Sequence, residues 1–263
     1  MDARGIRTRL AAAGIRPSKG LGQHFLLDAS VAARQVDHGG VTEASVVLEV
    51  GPGLGILTER LAAVAKRVFA VEADRRLARL LEGRWSNVEV IAGDAVSVDL
   101  PRFDRVVANL PFQISSPITF RLLEHDFRRA ALMYQEEFAD RLVARPASRD
   151  YSRLTVKAYC RASCRIVERI PSSAFWPPPK VRSAIVVVEP RARPFPVRDP
   201  ELYDAVVDVL FAHRRKKIGT TLAASWEALG LRSRPGGGVP HLDRRVEELT
   251  PEEIGTLVDA LAV

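Results

Sequence analysis

"SVVLEVGPGLGILTERLAAVA", residues 45 to 65, decides the fold class. Its first six residues are mostly apolar and β-branched, as a buried strand requires. "GPGLG" then interrupts the regular backbone, and "ILTERLAAVA" resumes with apolar side chains at helical spacing. A strand, a glycine turn and a helix in that order open a parallel α/β unit. The pattern continues downstream. "RVFAVE" (67 to 72) reads as the next strand and "DRRLARLLEGR" as its helix. "VEVIAGDA" (88 to 95), "FDRVVAN" (103 to 109) and "AALMYQ" (130 to 135) read as three more strands, with "ITFRLLE" and "EEFADRLVA" as helices. This alternation predicts a mostly parallel sheet covered on both faces. "CRIVERI" and "AIVVVE" (184 to 189) follow without a helix between them, so a seven-stranded sheet finishing in an antiparallel pair is expected.

After Glu189 the composition changes. "PRARPFPVRDP" (190 to 200) is proline-rich and basic and reads as a linker, and "ELYDAVVDVLFAHRRKKIGTTLAASWEALG" has helical rather than strand patterning. "TPEEIGTLVDAL" opens a helix with Thr250 as N-cap, Pro251 at the first helical position and Glu253 closing a capping box, while "GGG" (236 to 238) reads as a loop. Two domains are therefore expected: residues 1–190 with the sheet, and a small all-helical domain over 191–263. A chain of 263 residues, 47% of them hydrophobic, can bury one good core and a small second one.

The formal net charge of +7 suits an anionic partner, because clustered Arg and Lys release counterions from phosphates. The basic start "MDARGIRTRLAAAGIRPSKG" lacks the apolar core of a signal peptide. No run approaches the ~20 apolar residues of a transmembrane helix, so a cytoplasmic protein without membrane contact is expected. Cys160 and Cys164 are the only cysteines, too few for a disulfide framework or a structural zinc site; a turn apart if helical, they read as buried free thiols. The histidines show no metal-ligand spacing, and no metal is expected.

The first chemical signal is "LEVGPGLG". Glycines after a first strand let backbone approach a ligand closely. Acids at the tips of the next two strands, Glu72 and Asp94, can accept hydrogen bonds from ribose hydroxyls and a purine amine. The glycines Gly51, Gly53 and Gly55 spell GxGxG, whereas the dinucleotide fingerprint is GxGxxG. That favours S-adenosylmethionine, which has no pyrophosphate to seat on a helix N-terminus. Two plainer readings stay open: the glycines serve strand-to-helix packing, and the acids, or Asp74 in place of Glu72, cap helices.

The second signal is "NLPFQISSP" (109 to 117), which ends the fourth strand. In a doubly wound sheet that strand's C-terminal end borders the ligand crevice, so Asn109 should face a methyl donor. If the Asn109 side-chain oxygen and a backbone carbonyl at Leu110 or Pro111 accept the two N–H bonds of an adenine amine, its nitrogen is drawn toward tetrahedral geometry as it attacks. Phe112 can stack on the base, and Pro111 fixes the backbone between them. The alternative is a strand-ending turn with Phe112 in the core.

These motifs occur in one order with "LGQHFLLD" (21 to 28), "YQEEFADRLVARPASRDYSRLTV" (134 to 156), "FWPPPKVRSAIV" (175 to 186) and "FAHRRKKI" (211 to 218). Taken together, they make the chain resemble the ribosomal RNA adenine N6,N6-dimethyltransferases over almost its whole length. The resemblance implies a Rossmann-like class I methyltransferase domain followed by a helical RNA-contacting domain, with S-adenosylmethionine as donor. It favours the branch that dimethylates two adjacent adenosines near the 3′ end of small-subunit rRNA during ribosome biogenesis, with the rRNA or an immature small subunit as partner of a monomer. The "QISSP" and "YSRLTV" wording, with arginine in excess of lysine, points to an archaeal source.

Carried over by position, the resemblance implies that Gln23, His24, Phe25 and Leu26 help close the cofactor pocket and that Gly51 and Gly53 lie against the methionine part. Glu72 would hold the ribose, Asp94 with neighbouring Ala95 the cofactor's adenine, and Asn109, Leu110, Pro111 and Phe112 the target base. The family commonly has Tyr where this chain has Phe112; stacking survives the change and the phenol's hydrogen bond does not. Phe175 would close the other face of the target base or else pack the proline-rich turn. Arg214, Arg215, Lys216 and Lys217 are candidates to hold phosphates near a cleft between domains, with Arg7, Arg9, Arg16 and Lys19 as weaker ones. A binding-only assembly factor and a DNA adenine methyltransferase are the competing functions.

Overall fold

A computed structural model describes residues 3–12, 14–15 and 24–262. In chain order the strands are β1 (Phe25–Leu26), β2 (Val46–Val50), β3 (Arg67–Glu72), β4 (Val88–Ala92), β5 (Arg105–Asn109), β6 (Arg129–Gln135), β7 (Ala162–Ile170), β8 (Phe175–Trp176) and β9 (Ser183–Pro190). The helices are α1 (Ala3–Ala12), α2 (Ala29–Gly39), α3 (Ile56–Val64), α4 (Arg75–Leu81), α5 (Ser115–Leu122), α6 (Glu136–Leu142), α7 (Arg153–Tyr159), α8 (Pro200–Ala212), α9 (Ile218–Ser225) and α10 (Pro251–Leu261).

Seven strands form one sheet in the order β4-β3-β2-β5-β6-β9-β7. Strands β2 to β6 pair in parallel, and β9 runs antiparallel to β6 in a register from Ala130↔Val188 to Gln135↔Ser183. The chain travels outward from β2 through β3 and β4, then returns to lay β5 on the other side of β2. Strand order therefore reverses between β2 and β5, and a crevice opens at their C-terminal ends. Because β9 is antiparallel, its beginning arrives at the same end of the sheet. All seven strand-like runs of the sequence lie in this sheet, with β9 between β6 and β7. A separate two-stranded ladder, which patterning did not predict, pairs Phe25 with Trp176 and Leu26 with Phe175.

Burial explains why the strands stay put. Val47, Leu48, Val68, Ala70, Val106, Val107 and Ala130 to Ala131 are all shielded from solvent, as strands covered on both faces must be. Local chemistry sets the helix ends. Asp28 caps α2 through the Ser30 N–H, and Asp74 caps α4 through the Arg76 N–H. At α10 the expected capping box forms: Thr250 Oγ1 accepts from the Glu253 N–H at 3.2 Å, and the Thr250 N–H donates to Glu253 at 2.8 Å.

Packing divides the chain into two compact units. One runs to Ala139 and resumes over Ser163–Pro190; the other takes Asp140–Ala162 and the chain from Arg191 onward. Sequence reading expected 140–162 within the first domain. Its Tyr151, Val156 and Cys160 are instead buried with Tyr203, Val206, Leu210, Leu257 and Val258 of α8 and α10. Charge complements that burial. Arg153 and Lys157 of α7 pair with Asp208, and Arg161 pairs with Asp204, one turn apart on α8. The two cysteines are not a helical turn apart: Cys160 is a buried thiol after α7, and Cys164 lies half-buried on β7.

Candidate active site

A cavity of about 250 Å³ opens at the C-terminal ends of β2, β3 and β5. Of the residues expected in a site, it is lined by His24, Phe25, Gly51, Gly53, Glu72, Asp94, Asn109, Leu110, Pro111, Phe112 and Phe175. Leu26 turns away into the core beside Val31 and Val36, and Ala95 is buried with its carbonyl bound by Arg121 at 2.7 Å; neither lines the cavity. Gln23, like Arg16 and Lys19, lies outside the described residues.

The glycines divide their work. Gly51 has φ 72°, and a Cβ there would come within 3.5 Å of Pro111 Cδ and 3.7 Å of the Asn109 carbonyl oxygen. A side chain would thus occupy the gap between the glycine loop and the Asn109 stretch, so the bare backbone leaves room for a ligand. The Gly53 N–H donates to Glu72 Oε2 at 3.0 Å. Gly55 does not line the cavity: it stands at the N-cap of α3 with φ 85°, and a Cβ there would come within 2.8 Å of Leu81 Cδ2 and 3.0 Å of the Trp85 ring.

Glu72 ends β3 with its other oxygen, Oε1, accepting the Asp74 N–H at 3.0 Å. Burial pushes this carboxyl upward, opposed by these backbone donors. Since Asp74 caps α4, Glu72 is released from that duty and presents a fixed carboxylate to the cavity. Asp94 is exposed, with Oδ1 accepting the Val96 N–H at 2.9 Å.

Asn109 closes β5 opposite Met133, and the next residue's N–H, Leu110, donates to Met133 O at 3.2 Å. Buried Gln35 on α2 steadies this strand end, donating Nε2 to the carbonyls of Ala108 and Ala131 at 3.0 and 3.1 Å. Asn109 Oδ1 is buried and has no hydrogen-bond partner. Such an atom costs about 1–3 kcal/mol unless something satisfies it. Pro111 introduces a single 3₁₀ turn over Phe112–Ile114, with Pro111 O accepting the Ile114 N–H. The Phe112 ring lies 5.7 Å from that of His24. His24 Nδ1 sits 2.6 Å from Pro177 O; a carbonyl only accepts, so Nδ1 carries a proton and donates it there. The β1–β8 ladder brings His24 and Phe25 to the cavity beside Phe175, which is itself buried in the core.

Sequence reading missed Met133 and Ser183, which also line the cavity; Ser183 Oγ is buried without a partner. Only the antiparallel direction of β9 carries Ser183 to this end of the sheet. The basic candidates fare unequally. They occupy a turn rather than a helix face, with Arg215, Lys216 and Lys217 exposed, whereas Arg214 is drawn inward: it donates to the carbonyls of Arg149 and Tyr151 and pairs with Glu247.

A doubly wound sheet with a glycine loop, a carboxylate at the next strand tip and an amide at the switch point is the arrangement expected of a class I S-adenosylmethionine-dependent methyltransferase, and the known proteins this chain resembles are of that class. The profile of the family "Ribosomal RNA adenine dimethylase" matches residues 16–253. The probable ribosomal RNA small subunit methyltransferase A of Thermococcus gammatolerans is 45% identical over 246 residues, 91% of this chain and 87% of its own length. That of Pyrococcus abyssi is 45% identical, covering 94% and 93%. Among solved structures, a dimethyladenosine transferase from Plasmodium falciparum superposes with TM-score 0.74 at 27% identity, over 89% of this chain and 96% of that one. The 23S rRNA methyltransferase ErmE does so with TM-score 0.66 at 30% identity, over 91% and 100%. The chain belongs to the ribosomal RNA adenine dimethylase family. It is an rRNA adenine dimethyltransferase with S-adenosylmethionine as methyl donor.

Proposed function

We propose that this enzyme dimethylates the exocyclic amines of two adjacent adenosines near the 3′ end of small-subunit rRNA, acting on a maturing small subunit. The observation that carries the reading is Asn109, which lines the cavity and whose Oδ1 is buried without a hydrogen-bond partner. An adenine amine entering there donates one N–H to Asn109 Oδ1 and the other to the Leu110 carbonyl, since Pro111 O already accepts the Ile114 N–H. Both acceptors bind more strongly as the nitrogen gains positive charge, so they lower the barrier rather than merely hold the substrate. No side chain has to remove a proton first; the methylated amine loses it to water.

The residues present suit the donor: Gly51 leaves a gap, the Glu72 carboxylate would accept from a diol, and Asp94 would accept from an amine. When bound, S-adenosylmethionine supplies an electrophilic methyl on sulfur. Phe112 stacks on the flipped base, His24 holds Phe112 in place, and Phe175, packed in the core, backs the cavity wall. The names of the archaeal relatives support the small subunit as target.

Radiolabelled methyl transfer to unmethylated small subunits tests this. Asn109→Ala should lose about 10²–10³-fold in kcat while S-adenosylmethionine still binds. Mass mapping should place the methyls on two neighbouring adenosines. Full activity in the variant, or methyls confined to large-subunit rRNA or DNA, would overturn the proposal.

A further inference from the structure

A basic residue stands at every fourth position from Arg141 to Arg169, yet the helical unit does not display them as one stripe. Arg153, Lys157 and Arg161 are consumed by Asp208 and Asp204 of α8. Arg145 and Arg149 are exposed and make no ion pair among the described residues. They sit on a loop whose Ser148 N–H donates to Arg145 O at 3.1 Å, closing a turn with Pro146 and Ala147 at its centre. Ala147 has φ 63°. Proline first and a positive φ second define a type II turn, where glycine is the natural occupant and alanine is strained.

The surroundings impose that shape. The Ala147 N–H donates to Glu247 O at 2.7 Å, and the Arg214 guanidinium donates to Arg149 O and Tyr151 O at 3.3 and 3.0 Å while pairing with Glu247 at 3.4 Å. Arg214 opens the turn that exposes Arg215, Lys216 and Lys217, and Lys217 is itself bridged to Arg245. One arginine thus staples two loops distant in sequence, joining the backbone at Arg149 to the turn that carries Arg215, Lys216 and Lys217. The carboxylate of Glu247 is already occupied by Arg214, and Asp150 is the one acid within the loop.

We infer that Arg145 and Arg149, together with Arg215, Lys216 and Lys217, form a composite surface that grips phosphates of the rRNA, with Arg214 as its positioning residue. The inference rests on the rRNA reading above and extends it to a loop outside the basic run. Strained backbone persists where its surroundings over-determine it, as at ligand-holding loops, and unpaired guanidinium groups suit phosphate oxygens.

The test is binding of unmethylated small-subunit rRNA over a series of KCl concentrations. Arg145→Gln/Arg149→Gln should lower the salt slope by about 1.4–1.8, two phosphate contacts, and weaken binding about 25- to 60-fold at 0.1 M salt. Arg145→Glu/Arg149→Glu should weaken it further. Arg153→Gln, which removes an arginine already held by Asp208, should leave the slope near that of the wild type. Binding of S-adenosylmethionine and thermal unfolding should match the wild type throughout. An unchanged slope in the double variants, or a loss seen with intact subunits and absent with protein-free rRNA, would overturn the inference. Failure of the wild type to bind and methylate unmethylated small subunits would instead refute the proposed function.

Discussion

Replacing Glu49 by glutamine should remove a pH-dependent cost from the sheet. Glu49 lies on β2, 1% exposed, and its Oε2 has no hydrogen-bond partner. Burial pushes its carboxyl up to about 8, against a smaller pull from the Thr58 hydroxyl and a small further push from Glu72. Thr58 Oγ1 makes no hydrogen bond of ordinary geometry, so burial decides the direction. Below the ordinary value of 4.5 both the folded and unfolded chains keep this proton. Between 4.5 and about 8 the folded chain keeps it while the unfolded chain releases it, so stability falls as pH rises. The fall is about 1.4 kcal/mol per pH unit, and 3.5 units (8 − 4.5) set a ceiling of about 5 kcal/mol. Above about 8 the cost stays constant. Urea denaturation from pH 5 to 9 measures this, with Trp226→Phe in both proteins so that Trp85 and Trp176 report on the sheet unit. The stability difference between Glu49→Gln and its parent should grow in favour of glutamine across that window. Other titrating groups are common to both proteins and cancel to first order. A difference that stays flat with pH would refute the assignment of a buried, protonated carboxyl under the glycine loop.

Three further outcomes follow from local geometry. Gly51→Ala should weaken S-adenosylmethionine binding, read by calorimetry, because the new methyl occupies the gap before Pro111 and alanine is strained by about 1–2 kcal/mol at positive φ; undiminished affinity would place the donor elsewhere. Gln35→Met should cost about 2–3 kcal/mol in chemical denaturation by withdrawing the donor to the Ala108 and Ala131 carbonyls, and should lower kcat by loosening the end of β5. Ala147→Gly should raise the stability of the helical unit by about 0.5–1 kcal/mol, as relief of left-handed strain outweighs glycine's entropy, and a fall would mean the turn is not type II in solution.

How far the sequence could be read depended on the range of the interactions involved. Strands β2 to β6 and their helices were legible because buried parallel strands are short apolar runs and their helices repeat at their own period. The capping box at Thr250 was legible because its partners lie three residues apart. The glycine loop, the strand tip at Glu72 and Asn109 at the end of β5 were legible because a doubly wound sheet gathers strand ends in one place. The resemblance to a known family supplied what patterning could not, the identity of the donor and of the target base.

Other features have no local signature. That 140–162 belongs with the helical unit follows from Tyr151 and Val156 finding apolar partners on α8 and α10, a choice no hydrophobic period announces. The β1–β8 ladder is two residues long, too short to leave a pattern, yet it brings His24 to Phe112. Arg214 and Arg215 are neighbours of identical chemistry, and only the carbonyls of Arg149 and Tyr151 with Glu247 turn the first inward and leave the second in solvent. Periodicity and capping act within a few residues, so the chain alone specifies its strands, helices and strand-end chemistry. Which cations stay available, which polar atoms are left unpaired and which segment joins which core depend on groups far apart in sequence, and folding alone sets those.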